Sequence, residues 1–252
     1  MISFNKEQIY IVTGASSGLG EATALLLNEL GATVVAIARN VERLEKMKGN
    51  CKYPENMHLE VKDLAEDIEG LPRYVKELKE KYGKFSGMAY CAGVIGIYPL
   101  QTLDIENAQR VFNINYFAPI FMTKGFIDRR NNIGKGSSCV YISSIDAKTC
   151  TRGQSIYSGT KAGLAASIKA ISKEVAGQGI RMNCVLPSMI KTPMTLDDFS
   201  ELTGVTENMQ QNVYPFGWGE PDDVANMVIY LLSDKSKFIS GQNYVIDSGG
   251  VL

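Results

Sequence analysis

Histidine is almost missing from this sequence: His58 is the one imidazole in 252 residues. A nucleophilic triad built on histidine, or a multi-histidine metal site, would have to form around that residue alone, so neither is expected and no metal ligand is assigned. Cysteine is sparse as well. Cys51, Cys91, Cys139, Cys150 and Cys184 are scattered with no C-x-x-C pair, which excludes a zinc pattern and a secreted disulfide framework. Nor is there a surplus of positive charge. Lysine and arginine total 26 against 27 acidic residues, a formal net charge of −1. No basic cluster stands out, so nucleic acid is not an expected partner. No stretch approaches 18 apolar residues, and the opening residues run into a strand-like segment without a basic leader region. The expectation is a cytoplasmic protein that neither spans nor enters a membrane.

What the chain does have is the composition of a globular protein, 45% hydrophobic and 21% charged, with enough apolar residues for a large core. Runs rich in Val and Ile alternate with helical patterns. Strands are expected at Ile9–Val12, Thr33–Ala38, Met57–Val61, Gly87–Ala89, Cys139–Ile142, Arg181–Val185 and Tyr244–Ile246. Helices are expected at Glu21–Leu30, with Leu25, Leu26, Leu27 and Leu30 on its inner side, and near Pro72–Tyr82, Ile105–Asp128, Ser155–Ala176 and Asp222–Leu232. Doubly buried strands separated by helices predict an α/β fold, a doubly wound parallel sheet of the Rossmann-like kind with helices on both faces. No repeat or linker divides the chain, so residues 1–252 are read as a single dinucleotide-binding domain. Residues 188–219 differ in character. From Lys191 to Gly219 large apolar groups such as Met194, Phe199, Tyr214 and Trp218 alternate with Gly and Pro at weak helical spacing. A long loop of this kind is expected to cover the substrate.

Between the first strand and the first helix lies Thr13-Gly14-Ala15-Ser16-Ser17-Gly18-Leu19-Gly20. Glycines there allow a tight turn and a close approach of the backbone to a pyrophosphate, and the helix beyond offers free N–H groups and its positive end. The spacing G-x-x-x-G-x-G differs from the usual dinucleotide fingerprint and lacks the lysine of a P-loop. The second strand ends in Ala38 and Arg39, with no carboxylate to hold a ribose 2′-hydroxyl. An arginine at that point suits the extra phosphate of NADP, with NAD less favoured; pairing of an exposed Arg39 with Glu42 is the alternative use of the side chain.

Tyr157 and Lys161 stand four residues apart, and so share one face of a helix. A nearby ammonium favours the phenolate and is expected to lower the Tyr157 pKa from its ordinary value near 10. Such a pair is common on helices, and context gives it weight. Upstream, Cys139–Ser144 reads as a strand ending in two hydroxyls, the position where catalytic groups sit in open α/β sheets.

Taken together, TGASSGLG, Asp63-Leu64, Ala92-Gly93, Asn115, Ser144, Tyr157, Lys161 and the Pro187…Thr192 segment resemble the short-chain dehydrogenase/reductase family, in its single-domain branch. The nearest analogy is to 3-oxoacyl-acyl-carrier-protein reductases, and the likeness covers nearly the whole chain. It implies an oxidoreductase that moves a hydride between NADP(H) and a small-molecule carbonyl or alcohol. Tyr157 would be the general acid, Ser144 the donor that holds the substrate oxygen, and Lys161 the contact to the nicotinamide ribose. Gly14, Ser16, Ser17, Gly18, Leu19 and Gly20 would cradle the phosphates. Asp63 and Leu64 would border the adenine, Cys91, Ala92 and Gly93 would line the cofactor, and Pro187, Ile190 and Thr192 would hold the nicotinamide. The resemblance also gives the main-chain carbonyl of Asn115 a water that relays protons to the lysine. Pro119, four residues on, has no N–H for that carbonyl, so a bend with a free Asn115 oxygen is expected.

The chain departs from the family in carrying Tyr90-Cys91 where asparagines are usual, Ser188 after Pro187, and Trp218 in a place that often holds arginine. Trp218 is read as either lid or packing. A homodimer or homotetramer through Ile105–Asp128 and Ser155–Ala176 is implied by resemblance alone. Two other functions stay open: a non-catalytic NADP-binding regulator or scaffold, and a nucleotide-sugar epimerase or dehydratase that keeps its coenzyme.

Overall fold

Alternation along doubly buried strands sends successive side chains to opposite layers, and the sheet is built on that rule. In the computed structural model, which describes residues 1–250, the strands are β1 (Ile9–Thr13), β2 (Thr33–Ala38), β3 (Met57–Val61), β4 (Phe85–Tyr90), β5 (Ser138–Ile142), β6 (Arg181–Pro187) and β7 (Asn243–Ile246). All pair in parallel in the order β3-β2-β1-β4-β5-β6-β7. The helices are α1 (Gly18–Glu29), α2 (Val41–Gly49), α3 (Leu71–Tyr82), α4 (Ile105–Phe112), α5 (Ala118–Phe126), α6 (Asp146–Thr149), α7 (Ser155–Val175), α8 (Ser200–Thr203) and α9 (Pro221–Leu232). Ile11, Val35 and Ile37 face the layer of α3, α5 and α7, whereas Val12, Val34 and Ala36 face that of α1, α2 and α9. The expected doubly wound parallel sheet is therefore what forms. Among the described residues no helix is long and apolar enough to cross a membrane.

Strand order reverses between β1 and β4. Connections leaving these neighbours go to opposite faces of the sheet, so a crevice opens at their carboxyl ends.

Several elements differ from the sequence reading, each for a local reason. On α1 the fully buried side is Thr23, Ala24, Leu27 and Asn28, with Leu25, Leu26 and Leu30 only partly covered. Asn28 takes its buried place because its amide exchanges hydrogen bonds with the Tyr53 backbone at 2.7 and 2.9 Å. The single helix expected over Ile105–Asp128 is interrupted by a π-helical turn at Asn113–Phe117. Pro119 supplies no N–H, and the Ala118 N–H reaches back five residues to the Asn113 carbonyl. Residue 118 thus spends its donor on Asn113 and not on Asn115. Gly163 of α7 lets this widened turn approach, since a β-carbon there would lie 3.2 Å from the Tyr116 ring.

The segment expected as a loop between Lys191 and Gly219 carries structure: a π turn at Met194–Phe199, then α8, then a 3-10 turn at Glu207–Gln210. The π turn runs into α8 without a break, and the change of period inside one short helix leaves no single spacing to read in the sequence. Its two ends are clasped together by Lys191 N–H to Gly219 O at 2.8 Å and Gly219 N–H to Met189 O at 3.0 Å. Trp218 resolves to packing: it is 4% exposed. Its Nε1 donates to Gln210 Oε1 and its backbone N–H to Glu207 Oε1, both at 3.0 Å.

Candidate active site

A groove of about 720 Å³ runs over the carboxyl ends of the strands, between the glycine turn after β1 and the segment that follows β6. Of the residues singled out from the sequence, Gly14, Ser16, Ser17, Gly18, Leu19, Gly20, Arg39, Asp63, Leu64, Cys91, Ala92, Gly93, Ser144, Tyr157, Lys161, Pro187, Ile190 and Thr192 all line it. Asn115 does not. Its side chain is buried behind the wall, where Oδ1 accepts from Val94 N–H and Nδ2 donates to Val94 O, both at 2.9 Å. The amide braces the loop after β4.

At the nucleotide end, Gly14 and Gly18 have φ of +67° and +54°, a region that favours glycine. A β-carbon on Gly14 would meet the Ala92 backbone at 2.9 Å, so the turn after β1 rests directly on the loop after β4. Thr13 joins the two strands as well: its hydroxyl accepts from the Cys91 and Ala92 N–H groups at 3.0 and 3.1 Å. Ser17 opens α1 without a side-chain cap, which leaves N–H groups of the first helical turn for an anion. Backbone cradle and bare helix end together fit the pyrophosphate of a dinucleotide. At the ends of β2 and β3, Arg39 is 71% exposed and lies 3.6 Å from the Asp63 carboxylate; Asp63, not Glu42, is its partner.

At the chemical end, β5 delivers Ser143 and Ser144. Ser143 turns inward and donates to the Lys161 carbonyl at 2.8 Å, tying α7 to the strand. Ser144 Oγ accepts the Asp146 N–H at 3.1 Å, and its hydroxyl hydrogen-bonds the Tyr157 phenol. Tyr157 and Lys161 do share a face of α7, with the ammonium nitrogen 5.7 Å from the centre of the phenol ring. That nitrogen also donates to the Ile142 carbonyl at 2.9 Å. Gly93 gives it room, since a β-carbon there would stand 3.4 Å from the nitrogen.

The electrostatics differ from the sequence expectation. Burial pushes the Tyr157 phenol up to about 12, the Ser144 hydroxyl pulls it back in part, and the Asp146 carboxylate pushes it further. Burial likewise lowers the Lys161 ammonium to about 8. Desolvation is the largest cause at both groups, so the phenol holds its proton at neutral pH.

Sequence reasoning missed Asp146 and Gln154, both buried at the groove wall. Asp146 was legible in part, as an acid two residues after the strand-end serine. Beyond Tyr157 the groove is lined by Ile95, Ile145, Met189, Met194, Phe199 and Tyr214, and the Tyr214 phenol is held by Ser188 Oγ at 2.8 Å.

Comparison with known proteins agrees with this geometry. Residues 14–250 match the family model described as enoyl-(acyl carrier protein) reductase. The chain is 30% identical over 247 residues to a 3-oxoacyl-acyl-carrier-protein reductase of Thermotoga maritima, covering 97% of this chain and 98% of the relative. A short-chain dehydrogenase/reductase of Brucella melitensis, described as glucose/ribitol dehydrogenase, superimposes with a TM-score of 0.90 at 23% identity, with all of both chains covered. An actinorhodin polyketide ketoreductase variant solved with NADPH gives a TM-score of 0.88 at 25% identity, covering 97% of this chain and 98% of the other. The chain belongs to the short-chain dehydrogenase/reductase family, and is an oxidoreductase of the nicotinamide-dependent kind that acts on small molecules.

Proposed function

We propose that this protein is an NADP(H)-dependent carbonyl reductase, with Tyr157 as the general acid. The observation that carries the reading is the meeting of the Ser144 hydroxyl, the Tyr157 phenol and the Lys161 ammonium at one end of a groove whose other end presents Arg39. The coenzyme, when bound, supplies the hydride. The protein does the rest. Ser144 donates to the substrate oxygen, because the Asp146 N–H already occupies an acceptor position on its oxygen. Tyr157 gives its proton to that oxygen as negative charge develops there. Lys161, largely protonated at neutral pH with a pKa of about 8, stabilises the phenolate left behind. The Asn115 amide keeps the loop after β4 against the groove, and its carbonyl is assigned the relay water. Arg39 receives the 2′-phosphate of NADP in competition with Asp63. Residues 188–219 close over a partly apolar substrate, the character of Met189, Met194 and Phe199 at that end.

The decisive comparison is Tyr157→Phe, which removes one oxygen and leaves the groove intact. It is expected to bind NADPH with unchanged affinity by fluorescence titration, and to lose about a hundred- to ten-thousandfold in kcat against a panel of ketones and aldehydes. A variant that retained wild-type turnover would retire the assignment.

A further inference from the structure

Asp146 is a carboxylate that the proposed chemistry does not use directly, yet it is only 5% exposed and its contacts join three separate pieces of the site. Its backbone N–H fixes the Ser144 hydroxyl at 3.1 Å. Its Oδ1 accepts from the Thr151 N–H at 2.8 Å and from the Thr149 hydroxyl at 3.3 Å, which gathers in the loop beside the groove. Its Oδ2 accepts the Ser158 hydroxyl. Ser158 is the residue after Tyr157 in the first turn of α7. The connection requires a sharp local reversal, and Cys150 makes it with φ of +55°, a conformation a side chain adopts at some cost. A buried charge is tolerated here because it is hydrogen-bonded on both oxygens and lies by the positive end of a 21-residue helix.

We propose that Asp146 is a positioning residue which holds Ser144 and Tyr157 in register, and whose charge sets the pH at which Tyr157 yields its proton. The inference rests on the reading of Tyr157 as the proton donor. The charged and titratable groups acting at this point are few. Lys161 lies on the same helix against the phenol ring, and Asp146, hydrogen-bonded to Ser158 next to Tyr157, acts on it from α6. The Cys184 thiol of β6 and the Cys91 thiol just after β4 bear on Lys161. A carboxylate near the phenol disfavours a second negative charge, whereas the ammonium favours it. Asp146 therefore keeps the tyrosine in the form that can protonate a carbonyl, and postpones the phenolate needed for alcohol oxidation to higher pH.

The test compares Asp146→Asn, Asp146→Ala and Ser158→Ala in the full-length protein. Asparagine keeps the Thr151 contact and the volume but removes the charge. The acid limb of its kcat/KM profile for alcohol oxidation should move down by roughly one pH unit, with NADPH affinity unchanged. Ser158→Ala keeps the charge and cuts one tether, so kcat should fall several-fold with the profile unmoved. Asp146→Ala should show both effects. A profile for Asp146→Asn that superimposes on wild type overturns the electrostatic role. A kcat for Ser158→Ala equal to wild type overturns the positioning role. Should wild type reduce no carbonyl, the proposed function fails by that result. Asp146 is then judged by the ultraviolet phenolate titration of the NADP-loaded protein, taken as the difference from Tyr157→Phe. In Asp146→Asn that titration must move to lower pH, and an unmoved titration sinks the proposal.

Discussion

Arg39 and Asp63 stand 3.6 Å apart at the ends of neighbouring strands, so any phosphate placed between them must draw the guanidinium from one anion to another. The exchange favours phosphate because two or three oxygens can meet the planar fork of arginine at once, where Asp63 is met at long range. Arg39→Asp should then weaken NADPH by about ten- to a hundredfold while leaving NADH within a few-fold, as read by parallel fluorescence titrations; equal losses would remove the phosphate role. This residue was legible because strand β2 ends where an apolar run stops, and the next side chain must lie at the crevice. That Tyr157 and Lys161 share a face was legible from helical geometry, and the strand-end serines upstream together with the family resemblance gave the pair its weight. Their acidities were not legible. Whether attraction or desolvation dominates depends on the depth of burial of each group, and burial is decided by what packs over α7.

At the scale of elements, the segment from Met189 to Gly219 is stapled by charge. Lys191 Nζ lies 3.3 Å from Glu207 and 3.1 Å from Glu220, so one ammonium joins the 3-10 turn to the approach of α9. These side chains are 32% to 61% exposed, so salt and water screen them and the bridge contributes modestly. Its value is in limiting where the segment can move, not in global stability. Lys191→Ala is expected to raise the substrate KM several-fold with kcat nearly unchanged, and to speed proteolytic cleavage within residues 191–219. Cleavage and KM identical to wild type would show that the staple does not restrain the cover. The π turn at Asn113–Phe117 belongs to this scale too. Pro119 announced an irregularity in the sequence, but not its form, because the same missing donor is compatible with a kink or with a widened turn. The packing of Tyr116 against Gly163, together with its 3.1 Å hydrogen bond to Ser167, accompanies the widened turn.

Over the whole molecule, several large apolar side chains remain exposed. Ile105 opens α4, and Phe238, wholly exposed, lies just before β7. Large apolar groups left in water favour association. We propose a homodimer or homotetramer, and sedimentation at low micromolar concentration should give one of these masses. A clean monomer that turns over normally would show that the site is complete in one chain.

The parallel, doubly wound sheet follows from the alternation of buried strands and helices, whereas its strand order and the reversal between β1 and β4 were decided by the assembled structure. The glycine turn, Ser144, Tyr157 and Lys161 were legible in the sequence as well, since strand ends and helical spacing fix which side chains meet. Tertiary structure alone decided the contacts of Asp146, the inward turn of Asn115, the pairing of Arg39 with Asp63 and the folding of residues 191–219. Each depends on contacts between segments distant along the chain or on a change of period inside one short helix. Such contacts leave no periodic trace, because their geometry exists only after the sheet has assembled.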